Sequence, residues 1–233
     1  MTIDTAYVVM QSIATIISIN VFLFSLIIYK NTIGASIAYK KWAIGTFLIL
    51  ASSALFLSFG LLFGCNYSSE TSLNKFHRIL GSTIMALGYF YIPLGVLHFS
   101  KDMGFGNVNE DLIKKIQIVF FSIILASSAV LFITIPLFNI ALIVSTVFNI
   151  IYTAIWIITI IYYNIVYKNL KLLNNCWLLI YLALLGSVLN NIFAVLYFVG
   201  LEFFEYSRLV SQMVMAIGFI GGFFKLAKMV DAI

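Results

Sequence analysis

Long apolar runs, each closed by a short polar stretch, organise the whole chain. Seven such runs occupy about 6–29, 43–64, 79–99, 116–135, 138–166, 177–199 and 208–230. The hydrocarbon core of a bilayer is about 30 Å thick and takes roughly 20 residues of helix to cross. Backbone polar groups in hydrocarbon have to be satisfied within their own segment, so each run predicts a transmembrane α-helix. The fourth and fifth runs meet at TIPLFN, where Pro136 ends the helical pattern in a tight turn. The expected fold is all-α: a polytopic membrane protein of seven transmembrane helices forming one domain over residues 1–233.

Composition makes water the wrong solvent for this fold. Of 233 residues, 63% are hydrophobic and 9% are charged, against about 25% charged in soluble domains. Mean hydropathy is +1.12. Between the runs there is no stretch long enough for a soluble catalytic domain. The first run follows MTIDTAY, with no Lys or Arg before Lys30. A cleaved signal peptide begins with a basic region, so this run is expected to be retained as the first span.

The net charge of +5 does not point to nucleic acid, because the basic residues are scattered over short loops rather than gathered into a stripe. They follow the membrane instead. Lys30, Lys40, Lys41, Lys101, Lys114, Lys115, Lys168, Lys171, Lys225 and Lys228 fall at one end of the spans, and Lys75, Arg78 and Arg208 at the other. Ten against three, under the positive-inside rule, predicts a multi-pass cell-membrane protein with its N-terminus outside and its C-terminus in the cytoplasm. The longest loop, 100–115, mixes charges with Gly104 and Gly106 and is expected to be a solvated turn.

The third and seventh runs resemble each other. RILGSTIMALGY from Arg78 aligns with RLVSQMVMAIGF from Arg208, matching Arg78/Arg208, Met85/Met215, Ala86/Ala216 and Gly88/Gly218. Trp42 and Trp177 begin the second and sixth runs, Gly64 and Gly200 end them, and YKN closes the first and fifth. A parallel internal repeat follows, with one copy over about 6–99, a linker helix over about 116–135 and a second copy over about 138–230.

This three-plus-one-plus-three layout resembles the superfamily of microbial rhodopsins, sugar-efflux SWEET carriers and related receptors. It is also similar to the seven-helix sensory modules of prokaryotic signalling proteins. The resemblance covers layout and no motif. The last span has no mid-membrane lysine for retinal, since Lys225 lies near its inner end, and the third has no carboxylate counter-ion. The prolines that carriers place in several spans are reduced to Pro93 and Pro136.

Most catalytic chemistry is excluded by what the spans lack. His77 and His98 begin and end the third span, roughly 30 Å apart at 1.5 Å per residue, too far to share a metal or a haem. Both are expected at the membrane interfaces. Cys65 and Cys176 fall at opposite ends of the spans, which rules out a disulfide between them. No span carries an ionisable residue near its middle, the usual mark of proton pumping, ion coupling or intramembrane proteolysis. No enzyme activity and no cofactor are expected.

Neutral polar residues remain. Gln11, Thr15, Ser18 and Asn20 lie in the first span, Ser52 and Ser53 in the second, and Tyr89 and Tyr91 in the third. Thr146, Asn149 and Thr153 lie in the fifth, and Ser187, Asn190 and Asn191 in the sixth. Polar groups avoid lipid, so these faces are expected to turn into the bundle and bond between helices. They also offer a mid-membrane site for a small neutral ligand, with Asn149, Asn190, Asn191, Tyr89, Tyr91 and Asn20 as its candidate residues. The expected function is a non-enzymatic sensor-like or accessory module that binds such a ligand, or a membrane or cytoplasmic protein partner. A facilitator for a small uncharged solute and a structural subunit of a larger complex are the alternatives. The glycine pairs Gly60/Gly64 and Gly218/Gly222 are expected to mark close packing inside the bundle.

Overall fold

The computed structural model describes residues 5–32, 37–63, 72–105, 107–134, 140–170, 175–198 and 204–231. Pro136, Gly64, Gly200, Cys65, Glu70, Lys171 and Glu202 lie outside the described residues. Among those described there are seven α-helices and no strand. They are α1 (Thr5–Asn31), α2 (Ile37–Phe63), α3 (Ser72–Asp102), α4 (Glu110–Thr134), α5 (Ile140–Leu170), α6 (Cys176–Phe198) and α7 (Phe204–Asp231). Each is long and apolar enough to cross a membrane, and the chain is a multi-pass integral membrane protein.

Several helices outrun their apolar stretches. α3 starts at Ser72 rather than 79, α2 at Ile37 rather than 43, and α5 continues to Leu170 rather than 166. Hydropathy marks only the hydrocarbon crossing, whereas the helical ladder continues wherever side chains can be solvated. The 100–115 turn shortens for this reason, since α3 reaches Asp102 and α4 begins at Glu110. Gly104 has φ 68°, and the Phe105 N–H donates to the Ser100 carbonyl at 2.7 Å. This left-handed closure stops α3. The Asn109 side chain then accepts from the Leu112 N–H at 2.9 Å, capping α4. Glu110 and Asp111 complement the positive end of the new helix.

Six helices close a ring in the order α1, α2, α3, α5, α6, α7 and back to α1. α4 lies outside this ring against α3, with slight contact to α5. α1, α2 and α3 neighbour one another in that order around the ring, as do α5, α6 and α7.

Glycines set the closest crossings. A Cβ at Gly88 would stand 2.9 Å from the Gly45 carbonyl, and one at Gly218 would stand 2.6 Å from the Leu179 carbonyl. Small residues let helix backbones meet where hydrophobic burial supplies no drive. Gly222, against Cys176 and Ile180, extends the α6–α7 seam as the spacing predicts.

Hydroxyls tie further pairs. The Ser52 hydroxyl donates to the Gly81 carbonyl at 2.7 Å, Thr83 and Ser128 share a 2.7 Å bond between α3 and α4, and the Tyr152 hydroxyl donates to the Ser82 carbonyl at 2.9 Å. Pro93 lies within α3, where its missing N–H breaks the ladder. Nearby, the Trp42 indole N–H donates to the Ile92 carbonyl at 3.1 Å. Residues 92–100 of α3 are all buried.

Candidate functional site

The ring's interior divides into two halves of different chemistry. In the half toward the lysine-rich end, aromatic rings follow one another. Trp156 of α5 meets Phe219 of α7 at 5.9 Å between centroids, and Phe219 meets Phe223 at 6.3 Å. Phe223 meets Trp42 of α2 at 5.9 Å, and Trp42 stacks on Phe99 of α3 at 6.3 Å. Phe99 then reaches Trp177 of α6 at 5.6 Å. Beyond it the Tyr163 hydroxyl donates to the Trp177 carbonyl at 2.8 Å. Trp42, Trp156, Trp177 and Phe223 are all buried. The column therefore joins α2, α3, α5, α6 and α7 through ring contacts, with centroid distances in the range of favourable aromatic pairs.

The opposite half carries small polar side chains. Thr15 and Ser18 of α1, Ser52 and Ser53 of α2, Ser187 and Asn191 of α6 and Ser211 of α7 are buried there. Several hydroxyls are satisfied by the carbonyl one turn back, as with Thr15 on Gln11 at 2.7 Å and Ser187 on Ala183 at 2.9 Å. Ser18 reaches Ser53 across the α1–α2 seam at 3.3 Å.

The candidate amides are unevenly placed. Asn191 is 4% exposed, on the α6 stripe of buried Ser187 and Ala194. Asn190 belongs to the stripe of Gly186, which packs on Ser211 and Met215 of α7. The Asn190 Oδ1 is sealed from solvent and has no hydrogen-bond partner. A buried amide oxygen without a donor forgoes about 1–3 kcal/mol. Asn149 sits one heptad before Trp156 on the same α5 stripe, and its carbonyl accepts from the Thr153 hydroxyl at 2.7 Å.

The two tyrosines part company. Tyr89 meets Tyr152 edge-on at 5.1 Å and Trp156 at 4.9 Å, on top of the aromatic column. Tyr91, two residues on, is turned away from that interior: its ring faces Phe121 of α4, with Lys41 of α2 above it. Asn20 spends its amide on the Ile16 carbonyl of its own helix at 2.8 Å. Tyr89 thus meets the aromatic column, Asn191 and the Asn190 Oδ1 are buried on α6, and Tyr91 and Asn20 have other neighbours.

Both histidines are buried by protein, 1% and 5% exposed. His77 lies flat on Phe59 at 4.0 Å and edge-on to Phe56 at 5.3 Å. Aromatic neighbours one helix away, invisible to hydropathy, supply this cover. No group of three or more His, Cys, Asp or Glu residues stands where it could hold a metal among the described residues. The aromatic column was not foreseen from the sequence. Its one signal was the pair Trp42 and Trp177 at matching helix starts.

What the interior offers is hydrogen bonding without charge above a wall of rings. It can orient a neutral group by hydrogen bonding. Comparison with protein-family models, curated proteins and solved structures found no match. The resemblance to the transporter, opsin and receptor superfamily therefore rests on layout alone.

Proposed function

We propose that this chain is a non-enzymatic, sensor-like membrane module that takes a small neutral ligand into the polar half of its ring. In this reading Asn191 and Asn190 orient the ligand by its hydrogen-bonding groups, with Asn149 and Tyr89 closing the floor. The observation that supports it is the column from Trp156 to Trp177 beneath those amides. The column fills the path that a facilitator would need, which favours a receptor over a passage. It also touches five of the six ring helices, so a ligand-driven shift at Tyr89 or Trp156 carries to the lysine-rich end. There, at the end that the positive-inside rule assigns to the cytoplasm, a protein partner would read it.

Two measurements on purified full-length protein test this reading. Stopped-flow light scattering on proteoliposomes, with glycerol and urea as probes, is expected to show permeation no faster than in empty vesicles. Screening uncharged alcohols, amides and sugars by thermal melting in detergent is expected to find a stabilising class whose effect Asn191→Leu abolishes. Rapid glycerol flux that Asn191→Leu stops would establish the facilitator instead.

A further inference from the structure

His98 is buried at the lysine-rich end of α3, close to the turn into α4. It is 5% exposed, and of its two ring nitrogens only Nδ1 is sealed without a hydrogen-bond partner. The charged groups that face it are Lys41 from α2, Lys101 and Asp102 from α3, and Glu110 from α4. Tyr91 lies one heptad back on the same stripe of α3, with the Lys41 ammonium 5.4 Å from its ring centroid. Lys101 is paired with Glu110 across the turn between α3 and α4.

Histidine is the side chain whose charge changes between about pH 5 and 8. Its neutral ring carries one N–H and its charged ring carries two. With the first hydrogen on Nε2, a second proton goes to Nδ1, the sealed atom that has no acceptor beside it. Two lysines are among its neighbours, and the Glu110 carboxylate is already engaged by Lys101. A buried, charged N–H left without an acceptor is costly. Closed packing and a second proton on His98 therefore compete, and the proton is accommodated where the cover over Nδ1 opens.

The packing shows which element yields. Residues 92–100 of α3 are all buried, so the stretch that carries His98 is fixed. α4 packs mainly on α3, slightly on α5 and not on α2 among the described residues. Its N-terminal turn supplies Glu110, and the connection to α3 is short. Among the elements that face His98, α4 is the one with least else to hold it.

We propose that His98 is an acid-operated latch between α3 and α4. Uncharged, it lets the N-terminal half of α4 close on α3. Charged, it drives that half away, so that the lysine-rich end of the protein changes shape on acidification. The latch lies apart from the polar half of the ring and does not depend on a ligand there.

The test uses full-length protein in phosphatidylcholine nanodiscs. Spin labels are placed at Lys40→Cys on α2 and Ile118→Cys on α4 in a cysteine-free background, both exposed positions. Double electron–electron resonance should show one distance population at about pH 7.5 and a second, longer one at about pH 5, reversibly. His98→Gln keeps a polar side chain but takes no proton there, and should show the short population alone at both. A second measurement leaves position 98 intact. In protein labelled with 15N-histidine, the pH at which the His98 imidazole becomes charged should coincide with the midpoint of the distance change. No longer population at about pH 5, or an equal gain in His98→Gln, would overturn the proposal. So would a His98 that charges while the distance stays unchanged.

Discussion

Individual glycines decide how near these helices come. Gly218 has the Leu179 carbonyl and Ala183 where a side chain would go, and a backbone carbonyl cannot turn aside as a rotamer can. Gly218→Val is therefore expected to destabilise the fold by about 1–3 kcal/mol, measured by reversible unfolding in mixed micelles. Gly104 is held by conformation, since nothing stands within 4 Å of its Cβ position but its φ is +68°. Gly104→Ala should cost about 1 kcal/mol through backbone strain alone, with no change in helix packing. Gly218 was legible in the sequence through its spacing from Gly222. Gly45, Gly95 and Gly186 were not, because an isolated glycine in an apolar run carries no sign of what lies opposite. Tyr89 and Tyr91 show the same limit. Their shared depth could be read from the chain, but which neighbour each would face could not.

At the scale of elements, α3 and α4 behave differently from the rest. α3 is sheltered on every side near its lysine-rich end, and α4 is held mainly by α3. α4 therefore depends more on its own cap. Asn109→Ala should remove about 1 kcal/mol of helix stability. Hydrogen exchange should read this as faster loss of protection at Leu112 and Ile113, with α6 unchanged. All seven helices were visible in the apolar runs, because the length of a crossing is fixed by the bilayer. Their ends were less visible, since charged turns such as Glu110–Lys115 have no hydropathic signal. Asn109 before Glu110 was a readable start signal hidden inside a stretch that looked like loop.

At the scale of the molecule, closure of the ring depends on α1 meeting α7, where Phe24 and Phe224 stand 5.5 Å apart edge-on. In a cysteine-free background, Phe24→Cys with Phe224→Cys should crosslink with a short bifunctional thiol reagent. Phe24→Cys with Ile118→Cys, on the detached α4, should not. The layout of spans and their charge asymmetry could be read from the chain, but this ring order could not, because apolar helix faces do not name their partners. The aromatic column has one more consequence. The chain's three tryptophans are Trp42, Trp156 and Trp177, and all three belong to it. The ultraviolet emission of the whole protein therefore originates from one dry, connected stack, with the tyrosines beside it feeding the indoles. Its emission should be blue-shifted and resistant to iodide. Any rearrangement of the core should change its brightness, so the molecule carries a built-in optical gauge of its own interior and needs no attached dye.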